Sequence, residues 1–243
     1  MAHARRERQH AAIREEIKET ARKLMEEHGT GGITTRSIAR EMGLTAPALY
    51  HYFASRDELI TALIVDAFNA LADTLQEVSE QAEGEGTGEQ LRKVLLAYRQ
   101  WALAHPADFQ LIYGNPIPGY EAPREVTVPA AVRGFRVLVP LVEQLLGKNH
   151  GHSSSDGSSI IPEAHAFLSE QITREGYPVS PEALYLTIVG WTRIHGIIML
   201  ELFNHLQPTI GDVDAFYRSE IDILLKSIGY SESDRTGGGG KHL

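Results

Sequence analysis

From Ile13 to Leu63 the apolar residues recur at spacings of three and four in short runs broken by polar residues and glycine, which predicts several helices and no strand. Ile13, Ile17, Ala21 and Leu24 form one stripe of a first amphipathic helix. Ile38, Met42, Leu44 and Leu49 then place apolar side chains between two short helices, and Ala39 is small enough to let them cross closely. Gly43 suits the left-handed turn between them, because glycine adopts it without a Cβ penalty. Thr45 offers a capping hydroxyl, and Pro47 sits in the first turn of the next helix, where its missing N–H costs nothing. That helix, from Ala46 to about Tyr52, has small residues followed by Tyr50, His51 and Tyr52, a slim face suited to a major groove.

Ser55, with Asp57 and Glu58 in the first turn behind it, predicts the start of a long fourth helix. Its apolar positions Leu59, Leu63, Ala67, Ala70 or Leu71, Thr74 and Val78 run to the glycine-rich break at 83–88. Further helices are expected at about 90–104, 107–113, 126–146, 181–206 and 213–228, with Ser180 and Asp212 as caps and Gly229 as a stop. Two prolines and two glycines between Tyr113 and Tyr120 predict a packed loop. The Gly, Ser, His, Asn and Asp composition of 147–159 reads as a mobile linker, since it buries too little apolar surface to offset ordering entropy. His150 and His152 lack metal-ligand partners within that segment, so no metal is assigned. The tail 231–243, with four consecutive glycines, is expected to be disordered.

Composition narrows the class. Zero cysteines excludes disulfide frameworks, thiol catalysis and thiolate metal sites. The N-terminus lacks an apolar leader and no run of 18 apolar residues occurs, so a cytoplasmic protein without a membrane partner is expected. The net charge of −9 is unevenly spread: residues 1–60 carry ten Lys or Arg against nine Asp or Glu, net +1, and the remainder carries thirteen against twenty-three, net −10. Arg5, Arg6 and Arg8 cluster ahead of the first stripe, where a flexible basic arm would reach phosphates or a minor groove; a solvated terminus is the alternative.

The same residues carry a family resemblance. The pattern Thr-x-x-x-Ile-Ala-x-x-x-Gly-x-(small)-x-x-Leu-Tyr-x-Tyr-Phe-x-Ser-(basic)-Asp/Glu-x-Leu, with the helix in front of it, resembles the DNA-binding domain of the TetR/AcrR regulators over about residues 13–63. Trp191-Thr-Arg-Ile-His195-Gly196 and the Asn-Pro-Ile-Pro-Gly-Tyr loop are similar to one C-terminal subgroup, named for its Trp-x-x-x-His-Gly pattern (WHG). The resemblance implies an all-α protein with a three-helix helix-turn-helix domain and arm at 1–54 and a larger helical effector-binding and dimerisation domain at 55–230. In that arrangement the last two helices pair with their copies in a four-helix homodimer bundle.

The implied function is a ligand-responsive regulator, most often a repressor, that binds a palindromic double-stranded DNA operator and is released by a small hydrophobic effector. No cofactor is implied. Thr34, Thr35, Arg36, Thr45, Tyr52 and Arg56 would hold phosphates, and Ala46, Pro47, Ala48, Tyr50 and His51 would face base edges. Tyr50 and Tyr52 have core packing as their alternative. Candidates for the effector pocket are Trp101, Phe109, Tyr113, Tyr120, Phe135, Phe167, Trp191, His195 and Met199, each more readily read as core when taken singly. Two other classes stay open on the residues alone. One is an enzyme pairing His195 with Glu201 or another carboxylate, for which no phosphate loop, nucleophile elbow or His-Glu-x-x-His pattern is present. The other is a dimeric adaptor without DNA readout.

Overall fold

A computed structural model of the protein describes residues 2–149, 160–175 and 178–230, and every regular element among them is helical. In chain order these are α1 (Ala2–His28), a 3-10 turn (Thr30–Gly32), α2 (Thr35–Glu41), α3 (Ala46–Leu49), α4 (Arg56–Gln81), α5 (Thr87–Ala104) and α6 (Pro106–Tyr113). They continue as α7 (Arg124–Ala131), α8 (Arg133–Asn149), α9 (Pro162–Glu175), α10 (Pro181–Leu202), α11 (Gln207–Ile210) and α12 (Val213–Ser227). The segment 150–159 and the tail from 231, expected to be mobile, lie outside the described residues, as do His150 and His152.

The chain folds as two compact units. The first joins Met1–Ala70 to Ala104–Val132. Its core is Ile17, Ala21, Leu24 and Met25 of α1, Ile38 and Ala39 of α2, Leu49, Phe53, and Leu59, Ile60, Leu63 and Ile64 of α4. Leu111 of α6 and Ile117 of the loop behind it belong to the same core, and Tyr120 packs on its margin. The sequence division at residue 55 thus differs from the packing, in which α6 and the proline-rich loop share the apolar cluster of the helix-turn-helix. Polar contacts reinforce this: Arg22 of α1 pairs with Asp108 of α6 at 3.4 Å, and the hydroxyls of Thr61 and Tyr120 lie 2.9 Å apart.

The second unit comprises Leu71–Leu103 and the described residues from Arg133 onward. Here α10 packs on α8, α9 and α12. A buried fork fastens three of its helices: Arg99 of α5 donates through Nε and Nη2 to the two carboxylate oxygens of Glu201 on α10, both at 2.7 Å, and through Nη1 to Asp214 of α12 at 2.8 Å. Tyr217 of α12 is fully buried and donates to the Leu95 carbonyl at 2.7 Å. By length and composition α10 is apolar enough to cross a membrane, with mean hydropathy 1.4 over its most apolar window, a test that helices of soluble proteins also pass.

Several elements differ from the sequence expectation. The helix expected over 126–146 is two, α7 and α8, and carries Pro129 and Pro140, each of which removes one N–H from the helical ladder. α5 starts at Thr87 instead of 90, and Gly88 sits inside its first turn, where the Tyr230 ring leaves no room for a Cβ. α10 stops at Leu202 instead of continuing to 206: Asn204 takes a left-handed φ of 57° and the His205 N–H returns to the Leu200 carbonyl. α9 was not anticipated, although Pro162 at its first position and Glu163 behind it are ordinary start signals.

Candidate nucleic-acid interface and effector site

Local hydrogen bonds account for the shape of the helix-turn-helix. Thr34 caps α2, its Oγ1 accepting from the Ser37 N–H at 3.0 Å while the Ser37 hydroxyl accepts from the Thr34 N–H at 3.2 Å. Gly43 holds φ at 65° and the Leu44 N–H closes the turn on the Ala39 carbonyl at 2.8 Å. Thr45 then caps α3 through the Ala48 N–H, with Pro47 in the first turn. Leu49 and Phe53, 2% and 1% exposed, anchor α3 from beneath. The inward side of α3 is therefore committed to the core, and what it presents outward follows from the 3.6-residue period.

That outward side carries Pro47, Tyr50 at 52% exposure, and His51, with Ala46 and Ala48 half-buried below them. Thr34, Thr45 and Arg36 are exposed and Thr35 is half-buried. Arg40, which the sequence reading passed over, is exposed one turn after Arg36 on α2, and the signal for it was the four-residue spacing. Among the described residues no carboxylate pairs with Arg36 or Arg40. Two other named residues are more engaged. Tyr52 is half-buried with its ring 4.9 Å from that of His10, and its carbonyl accepts from Arg14. Arg56 is half-buried and donates through Nε to the Ile33 carbonyl at 2.7 Å.

The exit from the motif is also locally specified. The Ser55 hydroxyl accepts from the Glu58 N–H at 3.0 Å, and the Glu58 carboxylate accepts from the Ala54 N–H at 2.7 Å and pairs with Arg14 at 3.3 Å. The Arg14 guanidinium lies 3.9 Å from the Phe53 ring centroid, so one side chain ties α1 to the end of the motif and the start of α4.

The nine effector candidates fall into two groups. In the first unit Phe109 and Tyr113 lie with ring centroids 5.1 Å apart, and Phe68 of α4 stands edge-on to Tyr113 at 5.7 Å. Phe109 is fully buried, and Tyr120 sits at the core margin beside Thr61. In the second unit Phe135, Trp191 and His195 lie in series, their tilted rings 5.5 and 4.9 Å apart between centroids. Tyr98, absent from the sequence reading, completes that row: its hydroxyl lies 2.8 Å from Nδ1 of His195 and accepts from Nε1 of Trp191 at 3.2 Å. Nothing local marks Tyr98, because its partners are more than ninety residues away. Burial lowers the pKa of His195, so the neutral imidazole is favoured. Trp101 is buried, Met199 is half-buried, and Phe167 stands 61% exposed on α9.

Trp191 also borders an apolar cavity of about 30 Å³ between α5, α8, α10 and α12, walled by Leu95, Leu138, Val142, Leu224 and Ile228. Glu201, the carboxylate named as an acid–base partner for His195, has both oxygens occupied by Arg99.

Comparison with known proteins agrees with this geometry. The family model described as "Bacterial regulatory proteins, tetR family" matches residues 17–63, and the one described as "Tetracyclin repressor-like, C-terminal domain" matches residues 91–224. The HTH-type transcriptional regulator Rv1816 of Mycobacterium tuberculosis is 31% identical over 193 residues, covering 79% of this chain and 81% of that one. The Escherichia coli tetracycline repressor protein class A from transposon 1721 is 34% identical over 88 residues, 34% of this chain and 39% of that one. Among solved structures, the regulatory protein SCO4313 superposes with a TM-score of 0.73 at 30% identity, covering 90% of this chain and 98% of that one. A motif built to expose α3 on an intact core, joined to a helical body that matches along most of its length, places the chain in the TetR family of DNA-binding transcriptional regulators, which are not enzymes.

Proposed function

We propose that this protein is an effector-responsive repressor acting in the cytoplasm, binding a palindromic operator as a homodimer and leaving it when a small hydrophobic molecule enters the body. The observation that carries the reading is the division of α3 into a buried side, Leu49 with Phe53 behind it, and an exposed side of Pro47, Tyr50 and His51 flanked by the exposed cations Arg36 and Arg40. Tyr50 and His51 read base edges, and Ala46, Pro47 and Ala48 permit close approach. Thr34, Thr35, Arg36 and Thr45 hold phosphates at two helix N-termini. Tyr52 and Arg56 act chiefly by supporting the motif, through the contacts that occupy them.

Support for the dimer comes from apolar residues left exposed on α10 and α12: Ile188, Val189 and Leu200, with Ile223 across from them in chain order. The effector site is read at Phe135, Trp191, His195 and Tyr98 beside the apolar cavity. At about 30 Å³ that cavity is far below the several hundred Å³ of a drug-sized pocket, so a ligand must part the helices around it, which is a direct route from binding to conformational change.

Selection of duplexes from a random pool by the purified protein tests the DNA reading. A two-fold symmetric consensus is expected, and recovery of sequences without symmetry would count against dimeric readout. For release, an apolar compound that quenches tryptophan emission is titrated into the protein–operator complex. Operator affinity unchanged at saturation would sink the induction model.

A further inference from the structure

α8 turns two faces to two different spaces. Leu138 and Val142 wall the small apolar cavity beside Trp191, whereas Arg133, Arg136, Val137, Pro140 and Leu141 line an open groove against α4, whose side of it is Gln76, Ser79 and Glu80. At 3.6 residues per turn the centres of these two sets lie roughly 150° apart around the helix axis, so groove and cavity are separate places. The groove holds about 450 Å³, within the range of small-molecule sites, against about 30 Å³ for the cavity.

The lining of the groove differs in charge from the body around it. Residues 61–243 carry a net charge of −10, yet here two guanidinium groups face one carboxylate, that of Glu80. Arg133 and Arg136 are three residues apart and share a side of α8. Arg133 reaches across to α4 and donates through Nη2 to Asp73 at 2.5 Å, where the Asp73 side chain is 64% exposed, so water screens the pair and a competing anion can share the guanidinium. Arg136 is exposed. On the α4 side Gln76 donates through Nε2 to Glu80 at 2.8 Å, and Gln90 of α5 donates to the Ser79 hydroxyl at 3.0 Å. Below the charges the floor is aliphatic: Leu141 is buried, Val137 half-buried and the Pro140 ring exposed.

Cations beside an aliphatic floor suit an anion with an apolar body, and the surroundings limit its charge. Asp73, Glu77 and Glu80 all stand exposed on α4, so a polyanion would be repelled, while a single carboxylate meets guanidinium donors that match its geometry. We propose that the groove between α4 and α8 is a second ligand site, for a small amphipathic carboxylate whose head group lies on Arg133 and Arg136 and whose aliphatic body lies on Val137, Pro140 and Leu141. It stands apart from the effector reading at Trp191 and from DNA readout.

The test is calorimetric titration of octanoate into the full chain, with octanol as the uncharged control. Saturable octanoate binding that weakens with salt is expected, with octanol at least about tenfold weaker. Arg136→Gln should weaken octanoate about tenfold, as for loss of a charge-assisted hydrogen bond, and Glu80→Gln should tighten it a few fold by removing a like charge. Opposite shifts from two exposed positions separate the site from misfolding, and melting temperatures without octanoate should stay at the wild-type value. Octanoate bound in the cavity at Trp191 instead would leave both variants at wild-type affinity, and that result would overturn the proposal. Octanol binding as tight as octanoate, or no saturable octanoate binding to wild type, would overturn it too, and each of these results leaves the regulator reading intact.

Discussion

Gly43 is held at φ 65°, a conformation that costs a residue with a Cβ roughly 1–2 kcal/mol, and a Cβ there would meet nothing within 4 Å. Gly43→Ala is therefore expected to lower stability by about that amount through backbone strain alone. Chemical denaturation measures it, and a neutral effect would show that the turn relaxes. Side chains on the outward side of α3 should behave in the opposite way. Tyr50→Ala or His51→Ala leaves stability within about 0.5 kcal/mol, as for other surface positions, but relaxes preference at one operator position. Arg36→Ala should weaken every sequence alike and reduce the salt slope by about one. If all three variants lost affinity uniformly with preference unchanged, the assignment of base readers would be wrong. At this scale the sequence was informative, since a cap, a left-handed glycine and a first-turn proline each act within four residues and need no fold to be recognised.

Helices depend on partners that local spacing does not name. α5, α10 and α12 are fastened by Arg99, Glu201 and Asp214, and Glu201 is almost wholly buried while Asp214 is half exposed. Arg99→Ala leaves the Glu201 carboxylate buried without its counter-charge, expected to cost about 3–5 kcal/mol, whereas loss of the exposed, solvent-screened Asp214 contact costs far less. Comparing Arg99→Ala with Asp214→Asn in urea melts separates the two; equal effects would place the energy elsewhere. His195 supplies a pH dependence whose sign is set by burial. Its folded pKa lies below the ordinary 6.5, so below that pH the unfolded chain takes up a proton that the folded chain resists. Stability from this group is complete above about pH 7 and falls as pH drops through 6.5 toward the folded value. His195→Gln should flatten that part of the wild-type profile in thermal melts. An unchanged difference between neutral and mildly acidic melts in the two proteins would exclude His195 as its source.

For the molecule as a whole, the exposed apolar residues of α10 and α12 bear on assembly. Val189→Glu with Leu200→Glu, at positions each 45% exposed, should leave the monomer folded but shift sedimentation toward a single chain and lower operator affinity by at least tenfold. A variant that remained dimeric would move the interface elsewhere. Which segments share a core is also settled only at this scale. α6 and the loop to Tyr120 pack with the helix-turn-helix through Leu111 and Ile117, so Phe109, Tyr113 and Tyr120 fall in one unit while Phe135, Trp191 and His195 fall in the other. The sequence by itself determined the helical class, the turn at Gly43, the capped starts of α3 and α4 and the family, because periodicity and capping are local and the motif is dense; it ran α3 on to about Tyr52, where the helix stops at Leu49. Tertiary structure decided the partners of His195, Arg99 and His10 and the division into units. Those depend on residues forty to more than a hundred positions apart, whose meeting is set by packing of whole helices and leaves no trace in local spacing.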